Sequence, residues 1–278
     1  MNDAECVRFL QWALPQNHMR WPGFRKVRAQ VCKRIAKRLA ALQLADVVAY
    51  QDYFTRHSEE WPMFDELCRV TITRFYRDKL VFSRLSETIL PALATQARVK
   101  KYNTIRLWSI GCSSGEEPYT LAIIWRHLLA QQFADIHCKI LASEADARLL
   151  ERSQQACYPA SAIKNLPDTL RDAAFYRSAE EYCLKPDIKE MVEFTRQDIR
   201  TNLPAGRFDL ILCRNLVFTY FDEPTQQSIL CRLYEHLHPE GWLVLGVHEH
   251  LPDTQGFNVV SQRLGLYQKI CSMPDASQ

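Results

Sequence analysis

The chain has 278 residues, of which 47% are hydrophobic and 24% are charged, and its formal net charge is +3. This composition is typical of a globular protein with room for one large domain and one small domain. No apolar run reaches the roughly 18 residues of a membrane-spanning helix, and no basic segment followed by an apolar one opens the chain. We therefore expect a cytoplasmic protein without membrane insertion.

Ten cysteines are spread singly from Cys6 to Cys271. None of them forms a CxxC pair, which argues against a zinc site. We expect reduced, mostly buried cysteines, with neither a metal site nor a disulfide framework. Cys112 adjoins a glycine turn and is the candidate for reactivity.

Residues 1 to about 80 show helical periodicity without strand-like alternation. Apolar residues three or four positions apart predict one helix from Phe24 to Leu44. Its stripe consists of Val27, Val31, Ile35, Leu39 and Leu42. Seven of the fourteen residues from Arg25 to Arg38 are Lys or Arg. This basic cluster is either a solvated face or a docking surface for an acidic protein helix or nucleic acid.

The segment CRVTITRFYRD, residues 68 to 78, sets polar side chains among aromatic ones. The polar residues are Thr71, Thr73 and Arg77, and the aromatic residues are Phe75 and Tyr76. The stretch that follows, Val81 to Ala97, predicts a helix that leads into the next domain.

Leu107 to Ala122, LWSIGCSSGEEPYTLA, is typical of a strand, a glycine turn and a helix. Gly111 and Gly115 bound the turn, where glycine lets the backbone approach a ligand and the helix start presents unpaired N–H groups. The helix is expected to bury an apolar face made by Leu121, Ile123, Ile124 and Leu128.

Two carboxylates, Glu116 and Glu117, follow the glycine turn. No Lys-Ser or Lys-Thr follows the second glycine, which excludes a P-loop. Carboxylates repel phosphate but suit an ammonium or a sulfonium. The alternative is that the two acids only complement the helix dipole.

The next segment, CKILASEAD, predicts a short buried strand that ends at Glu144 and Asp146. A strand, a glycine turn, a helix, a second strand and then an acid form the dinucleotide-type arrangement, in which that acid accepts hydrogen bonds from ribose hydroxyls. The polar stretch 158 to 190 predicts a small insertion, with a β-hairpin around Lys185 to Asp187.

Three further strands and a closing hairpin complete the predicted sheet. The strands are MVEFTRQDI, which ends at Asp198, FDLILCRN at 208 to 215, and Trp242 to Val247. A helix from Pro224 to Leu237 precedes the last of these, and the hairpin joins Phe257 to Val260 with Leu264 to Ile270.

These motifs, in this order, resemble the CheR chemotaxis methyltransferases, which use S-adenosylmethionine to methylate glutamate side chains of chemoreceptors. The resemblance rests on TITRFYRD, WSIGCSSGEEPYTLA, ASEAD, FDLILCRN and GWLVLG followed by HE. It implies an α/β fold with a class I, Rossmann-like methyltransferase sheet of seven strands. It also implies an all-helical domain at 1–80, a catalytic domain at 81–278 and an inserted β-subdomain at about 158–190.

The resemblance also implies the site residues. Cofactor contacts are expected at Thr71, Thr73, Arg77, Gly111, Glu116, Glu117, Glu144, Asp198, Ile199, Arg214 and Asn215. Catalytic roles are expected for Arg77, which would orient the acceptor carboxylate, and for Tyr220. S-adenosylhomocysteine would be the product, no metal is expected, and the partner would be an acidic helical protein such as a chemoreceptor cytoplasmic domain.

The sequence departs from the family pattern in several places. Thr71, Glu144 and Asp198 replace the usual Asn, Asp and Asn, and all three keep hydrogen-bonding capacity. RNLVFTYFD, residues 214 to 222, has one residue more than the usual RNVLIYFD, so either Thr219 or Tyr220 takes the place of the family tyrosine. The usual GHSE reads Gly246 to Glu249, GVHE.

Methyl transfer to a carboxylate needs little acid–base help, so catalysis would rest mainly on placement. An alternative role for Arg77 is a structural ion pair with Asp78 or with another acid at the domain junction. His248 is an alternative candidate, as a general base. Other readings of the protein are a methyltransferase with a different acceptor and a non-catalytic cofactor-binding module. Nucleic acid is disfavoured as a partner because the net charge is balanced and no aromatics interleave with the basic cluster.

Overall fold

The structure is a computed structural model that describes residues 1–270. The described chain forms two compact units. The first contains Met1–Ile72 and Leu216–Gln226, and the second contains Thr73–Asn215 and the chain from Gln227 onward. From the sequence we expected one boundary near residue 80. The division instead follows Ile72, and the chain returns to the first unit at Leu216.

The first unit begins with five helices: α1 (Asp3–Gln16), α2 (Trp21–Phe24), α3 (Arg28–Ala41), α4 (Val47–Arg56) and α5 (Glu60–Cys68). Aromatic rings fill its core, and the Phe9 ring lies 5.2 Å from Tyr50 and 5.9 Å from Phe64. The helix predicted from Phe24 to Leu44 is shorter than expected, but the stripe is confirmed at its centre, where Val31, Ile35 and Leu39 are buried.

The remaining elements follow in chain order: α6 (Lys79–Arg84), α7 (Leu90–Val99), β1 (Thr104–Ile110), α8 (Glu116–Ile124), β2 (His137–Glu144), α9 (Ala147–Gln155), β3 (Cys157–Tyr158), α10 (Ala160–Ile163), α11 (Asp168–Ala174), β4 (Phe175–Ser178), β5 (Glu181–Leu184), α12 (Pro186–Lys189), β6 (Val192–Arg196), β7 (Phe208–Cys213), α13 (Val217–Tyr220), α14 (Glu223–Glu235), β8 (Leu237–Leu245), β9 (Phe257–Ser261) and β10 (Leu266–Lys269). A π-helical turn, Leu85–Ile89, joins α6 to α7. Along residues 1–270, none of the helices has the length and apolar character needed to cross a membrane.

The second unit is organised around a seven-stranded sheet with the order β6-β2-β1-β7-β8-β10-β9. The pairs β2–β6, β1–β2, β1–β7 and β7–β8 are parallel, and β10 is antiparallel to both of its neighbours. The central strands β1 and β7 are mostly buried, and apolar residues dominate the second half of each strand, as expected for strands that are covered on both faces. The predicted Rossmann-like sheet of seven strands is confirmed.

A second sheet of three short strands, with the order β3-β5-β4, lies within the predicted insertion. The prediction of a hairpin around Lys185 to Asp187 is wrong in position. The turn lies at Ala179 and Glu180, between β4 and β5. Ala179 adopts a left-handed φ of 52° without being glycine, so the sequence did not mark this turn. Pro186 instead starts α12, where its fixed φ suits the first position of a helix.

The helix after the glycine turn does not keep the regular α-helical spacing of its buried face. It widens into a π-helical turn at Trp125–Leu129, which rotates the residues that follow. Leu128, which we placed on the buried face, is therefore 50% exposed, whereas Trp125 and Leu129 are buried.

Two disulfides contradict the expectation of reduced cysteines. Cys6 bonds Cys32, and Cys157 bonds Cys183, each across 26 residues. The second bond follows from the register of β3 and β5, which sets the two residues opposite one another. The spacing of the cysteines along the sequence does not indicate which of them form disulfides. Cys271 lies outside the described residues. Of the cysteines up to Ile270 that are not in these two disulfides, four are buried and Cys231 is exposed.

Candidate functional site

Loops at the carboxyl ends of the parallel strands carry most of the predicted site residues of the second unit. Parallel strands bring their carboxyl ends to one edge of a sheet, where ligands bind at the point at which the strand order reverses. Here the chain moves outward from β1 through β2 to β6 and then crosses to β7. The loops after these four strands and after β8 therefore meet at one edge.

The glycine turn between β1 and α8 is held in a strained backbone shape. Gly111, Ser113 and Gly115 have φ values of 65°, 52° and 93°. A Cβ at Gly115 would lie 3.0 Å from the Ser153 Cβ, so glycine is needed for both space and backbone conformation. The Tyr158 hydroxyl donates to the Ser114 carbonyl at 2.7 Å, which ties the inserted sheet to the turn.

Cys112 lies inside this turn and is buried. Burial raises the pKa of its thiol well above the ordinary value, and the nearby carboxylates of Glu144, Glu117 and Glu116 raise it further. A thiol that resists ionisation is a poor nucleophile. The prediction that Cys112 would be reactive is therefore wrong.

Glu116 and Glu117 have different surroundings. Glu116 is 4% exposed, and its carboxylate accepts hydrogen bonds from the Ser114 hydroxyl at 2.9 and 3.0 Å and from the Thr73 side chain. Burial raises the pKa of Glu116 and outweighs these hydrogen bonds. Glu117 instead accepts a hydrogen bond from the Ser109 hydroxyl at 2.8 Å and pairs with Arg214 at 2.9 Å.

Arg214, which follows β7, is a buried cation held by two acids. Its Nη1 donates to Glu117, and its Nη2 donates to Asp78 at 2.5 Å. The guanidinium also lies 5.3 Å from the centre of the Phe82 ring. The carboxylate of Asp78 is thus bonded to Arg214. This ion pair fixes the backbone beside Arg77, whose carbonyl accepts a further hydrogen bond from Arg214 at 3.4 Å.

Arg77 and Asn215 are brought together by the same loops. The Nη2 of Arg77 donates to the Oδ1 of Asn215 at 3.4 Å. The main-chain N–H of Asn215 donates in turn to Glu249 at 2.6 Å. The predicted site residues included neither Asp78 nor Glu249. The short motifs RFYRD and GVHE contain them, but only the contacts distinguish them from ordinary surface acids.

Glu144, the expected ribose ligand, also organises its own loop. Its carboxylate accepts hydrogen bonds from the main-chain N–H groups of Ser113 at 2.9 Å, Ala145 at 2.8 Å and Asp146 at 3.0 Å. This set of contacts joins the ends of β1 and β2.

Asp198 and Ile199, expected near the adenine, follow β6. The carboxylate of Asp198 binds Arg200 through the main-chain N–H at 2.9 Å and through the guanidinium at 2.6 Å. The side chain of Ile199 is buried, and its carbonyl accepts a hydrogen bond from Arg232 at 2.9 Å. These contacts hold the loop after β6, and a role in binding adenine stays a prediction.

Two expected site residues, Thr71 and Tyr220, belong to the first unit. Tyr220 ends α13, and its ring lies 4.9 Å from Phe24. The Thr219 carbonyl accepts a hydrogen bond from the Arg20 Nε at 3.1 Å, and a Cβ at Gly23 would lie 2.2 Å from that carbonyl oxygen. The lengthened segment 214 to 222 is therefore packed closely against α2 at Thr219 and Tyr220.

Unsatisfied polar atoms test whether these loops suit S-adenosylmethionine. Within residues 1–270, the buried side-chain atoms without a hydrogen-bond partner include Ser113 Oγ, Gln197 Oε1 and Arg214 Nε. Each lies in a loop after β1, β6 or β7, and the main-chain N–H of Gln197 donates to the Glu144 carbonyl at 2.9 Å. Buried polar atoms usually have partners. The residues present therefore fit a ligand rich in hydroxyl and amino groups.

A cavity of about 630 Å³ lies along β1, β2 and β6, and Gln197, in the loop after β6, is among its lining residues. Its lining comes mainly from the first halves of β1 and β2, from β6 and from residues 204 to 208. In the described part of the chain, no cluster of three or more His, Cys, Asp or Glu side chains could hold a metal ion.

Comparison with known proteins identifies the family of this chain. A family model described as the CheR methyltransferase, SAM binding domain, matches residues 71–266. The chain is 31% identical over 228 residues to chemotaxis protein methyltransferase 2 of Pseudomonas aeruginosa, and the match covers 79% of this chain and 78% of that protein. It is 32% identical over 232 residues to the chemotaxis protein methyltransferase of Salmonella typhimurium, with 80% and 76% covered.

A third relative is much longer than this chain. The similarity to an uncharacterised 104.1 kDa protein of Rhodobacter capsulatus reaches 29% identity over 241 residues, which is 86% of this chain but 25% of that protein. Among solved structures, the N-methyltransferase NodS of Bradyrhizobium japonicum is 16% identical, with 62% and 70% covered and a TM-score of 0.32. A likeness at that level supports no inference about function.

The family model covers more than half of the chain, and the resemblance noted in the motifs is confirmed. The chain belongs to the CheR methyltransferase family, whose cofactor is S-adenosylmethionine.

Proposed function

We propose that the protein transfers the methyl group of S-adenosylmethionine to the side-chain carboxylate of a glutamate on a chemoreceptor-like protein. The observation that carries this proposal is the position of Arg77. Its guanidinium contacts Asn215 beside the loops that fit the cofactor. A planar guanidinium can hold a carboxylate with two parallel hydrogen bonds, so Arg77 is suited to orient the acceptor.

The bound cofactor would supply a methyl group on a sulfonium, which is a reactive electrophile. A glutamate is already ionised at neutral pH, and the thioether that leaves takes no proton with it. The protein therefore has to align the carboxylate oxygen with the methyl group and exclude water. No general base is required, which leaves His248, an exposed residue, without a necessary role.

The cofactor contacts extend this proposal to individual side chains. Glu144 would accept hydrogen bonds from the ribose hydroxyls, because its position after β2 matches the dinucleotide-type arrangement. Glu116 and Glu117 would lie near the methionine ammonium, with Thr73 held against Glu116. We also propose the roles expected for Thr71, Gly111, Asp198, Ile199, Arg214 and Asn215 in binding, and for Tyr220 beside the acceptor.

The partner surface we propose is narrower than the basic cluster suggested by the sequence. Three members of that cluster have structural partners, since Arg28 pairs with Asp3, Arg34 donates to the Leu67 carbonyl, and Arg38 pairs with the buried Glu60. Four others are exposed and form no ion pair with any residue up to Ile270: Arg25, Lys26, Lys33 and Lys37. These four cations would attract an acidic helical substrate.

A methyl-transfer assay tests the proposal. Protein, tritiated S-adenosylmethionine and the cytoplasmic fragment of a chemoreceptor are combined, and the label on the fragment is then exposed to base. A carboxyl methyl ester releases its label as methanol, whereas a methylated amine keeps it. Label that resists base, or no label on the fragment while small-molecule acceptors are methylated, would refute a glutamate acceptor.

A further inference from the structure

A buried carboxylate lies between the ends of β7 and β8. Glu249 is 2% exposed, and its Oε2 accepts hydrogen bonds from two main-chain N–H groups, that of Asn215 at 2.6 Å and that of Gly246 at 2.8 Å. The N–H of Glu249 donates back to the Gly246 carbonyl at 2.9 Å. One carboxylate oxygen therefore joins two loops that are about thirty residues apart in sequence.

The contact matters for Asn215 because this residue has an unusual backbone conformation. Its φ is 56°, in the left-handed region, which Asn adopts more readily than most non-glycine residues but less readily than the usual regions. Contacts from the surroundings stabilise such a conformation. The Glu249 carboxylate supplies one such contact. Without the carboxylate, the N–H groups of Asn215 and Gly246 would lose their acceptor.

Gly246 shows how tightly this arrangement is packed. A Cβ at that position would lie 2.8 Å from both Asn215 Oδ1 and Glu249 Oε2. Both oxygens thus pack against the same glycine. The side-chain oxygen of Asn215 is held there while it accepts the hydrogen bond from Arg77 Nη2 at 3.4 Å.

We infer that Glu249 is a positioning residue for methyl transfer, which acts on the acceptor through Asn215 and then Arg77. Two sets of contacts hold Arg77 in position. The ion pair of Arg214 with Asp78 fixes the backbone next to Arg77, and Glu249 fixes the asparagine that orients its guanidinium. This inference rests on the proposed function, because it assigns Arg77 the task of orienting the acceptor carboxylate.

The test compares Glu249→Ala and Glu249→Gln with a matched control, Asp209→Ala. Asp209 lies at the other end of β7 and also accepts a main-chain hydrogen bond, from Arg106 at 2.8 Å. We expect Glu249→Ala to lower the rate of methyl transfer by about tenfold to a hundredfold, since a small displacement of a positioning group is enough. Glu249→Gln should recover most of the rate, because its amide oxygen can accept the same two hydrogen bonds. S-adenosylhomocysteine affinity is measured in all three variants, and in Glu249→Ala we expect it to fall by less than the rate, because Asn215 is also a proposed cofactor contact.

A double-mutant cycle separates positioning from general destabilisation. If Glu249 acts through Arg77, adding Glu249→Ala to Arg77→Ala should cause little further loss of rate. Fully additive losses, or an equal loss in Asp209→Ala, would overturn the inference.

Crystal structures of wild type and Glu249→Ala with S-adenosylhomocysteine give a readout that needs no activity. The expected result is that Asn215 leaves the left-handed region and loses its contact with Arg77 in the variant. An unchanged Asn215 and Arg77 would refute the inference even if the protein methylates a chemoreceptor. If wild type methylates no receptor fragment, the proposed function fails, while the two crystal structures still decide whether Glu249 holds Asn215 and Arg77.

Discussion

Arg77 and Arg214 lie near each other in the same loop cluster, but their charges have different surroundings. Arg214 is buried between two carboxylates, so its charge is neutralised by the protein. Arg77 is half-buried and contacts the neutral side-chain oxygen of Asn215. A buried ion pair holds the two loops together, whereas a half-buried guanidinium has an exposed part that a ligand can reach. Arg214 is therefore a structural residue, and Arg77 is the candidate catalytic residue.

Replacing Arg77 tests this distinction. Arg77→Ala should cost about 2–4 kcal/mol of transition-state stabilisation, a drop of roughly thirtyfold to a thousandfold in rate. Arg77→Lys should recover part of this loss, because it keeps the charge but not the planar fork. The rates come from tritiated methyl transfer, and calorimetry with S-adenosylhomocysteine checks that the variants are folded. A wild-type rate in a folded Arg77→Ala protein would assign Arg77 a structural role.

Glu116 provides a pH-dependent test. Its pKa is raised by burial, so in the folded protein its ionised form is disfavoured relative to the unfolded chain. The ionised carboxylate thus lowers stability at neutral pH, and this cost fades as the pH falls through the raised pKa toward the ordinary value of 4.5. Glu116→Gln should unfold at a higher urea concentration than wild type at about pH 8, with the difference shrinking toward about pH 5.

The neighbouring acid serves as its control. Glu117→Gln removes the charge that pairs with Arg214, so it should lower the urea midpoint where Glu116→Gln raises it. Both measurements use the protein without cofactor. A Glu116→Gln variant that is less stable than wild type across this pH range would contradict the assignment.

At the scale of elements, the inserted sheet contacts the glycine turn through Tyr158, which follows a cysteine whose disulfide lies within that sheet. Cys157 bonds Cys183, and the next residue, Tyr158, donates to the glycine turn at Ser114. The disulfide therefore restrains the strand that carries the tyrosine. The insertion acts as a support for the glycine turn, in addition to any role of its own.

Removing this disulfide should weaken both the fold and cofactor binding. The bond closes a separation of 26 residues, which corresponds to about 3.5 kcal/mol in the chain-entropy treatment. Cys183→Ser should lower the melting temperature and weaken S-adenosylhomocysteine binding by less than about tenfold, because the Tyr158 contact is loosened rather than removed. Cys231→Ser, at an exposed unpaired cysteine, is the control. Equal melting temperatures for the two variants would contradict the prediction.

The second test at this scale concerns α3. Lys33→Glu with Lys37→Glu reverses two exposed charges that are one helical turn apart, and Arg25 and Lys26 extend the same charge. We expect the variant to methylate an acidic protein substrate more weakly than wild type does, with unchanged cofactor affinity. Its methylation rate should also depend less on salt than the wild-type rate does. Arg28→Glu is the comparison, since Arg28 is engaged with Asp3. Equal methylation at low and high salt by wild type and variant would favour a solvated face.

For the whole molecule, cofactor binding couples to the stability of the second unit, because the loops of five strands contribute to the proposed site. A ligand that binds only the folded state stabilises it by about 2.7 kcal/mol at a hundredfold excess over its Kd. S-adenosylmethionine or S-adenosylhomocysteine should therefore raise the melting temperature. Glu144→Ala should reduce binding by about 1–3 kcal/mol, because ribose hydroxyls would lose their acceptor.

Calorimetry measures the binding directly, and thermal unfolding measures its effect on the fold. Since Glu144 also accepts three main-chain hydrogen bonds, the variant should be less stable without ligand as well. Comparing the ligand-induced shifts, rather than the melting temperatures themselves, isolates binding. Absence of binding of either compound at millimolar concentration would contradict the cofactor assignment at this site.

The sequence by itself determined the order of the main elements and the position of the glycine turn. The apolar run LILC, residues 210 to 213, marks a strand that is buried on both faces, and glycines at 111 and 115 mark a turn that needs positive φ. These signals are local, since each depends on a few neighbouring residues. Where the local signal was absent, as at the Ala179 turn or the π-helical turn before Leu129, the prediction failed.

The tertiary structure alone decided which side chains act together. Asp78 lies 136 residues before its partner Arg214, and Asn215 lies 34 before Glu249, so no periodicity links either pair. The two disulfides likewise depend on which strands and helices become neighbours. Local pattern specifies strands, turns and helices because it reflects burial and backbone freedom. Contacts across the sheet edge depend on chain crossings and register, which exist only once the fold has formed.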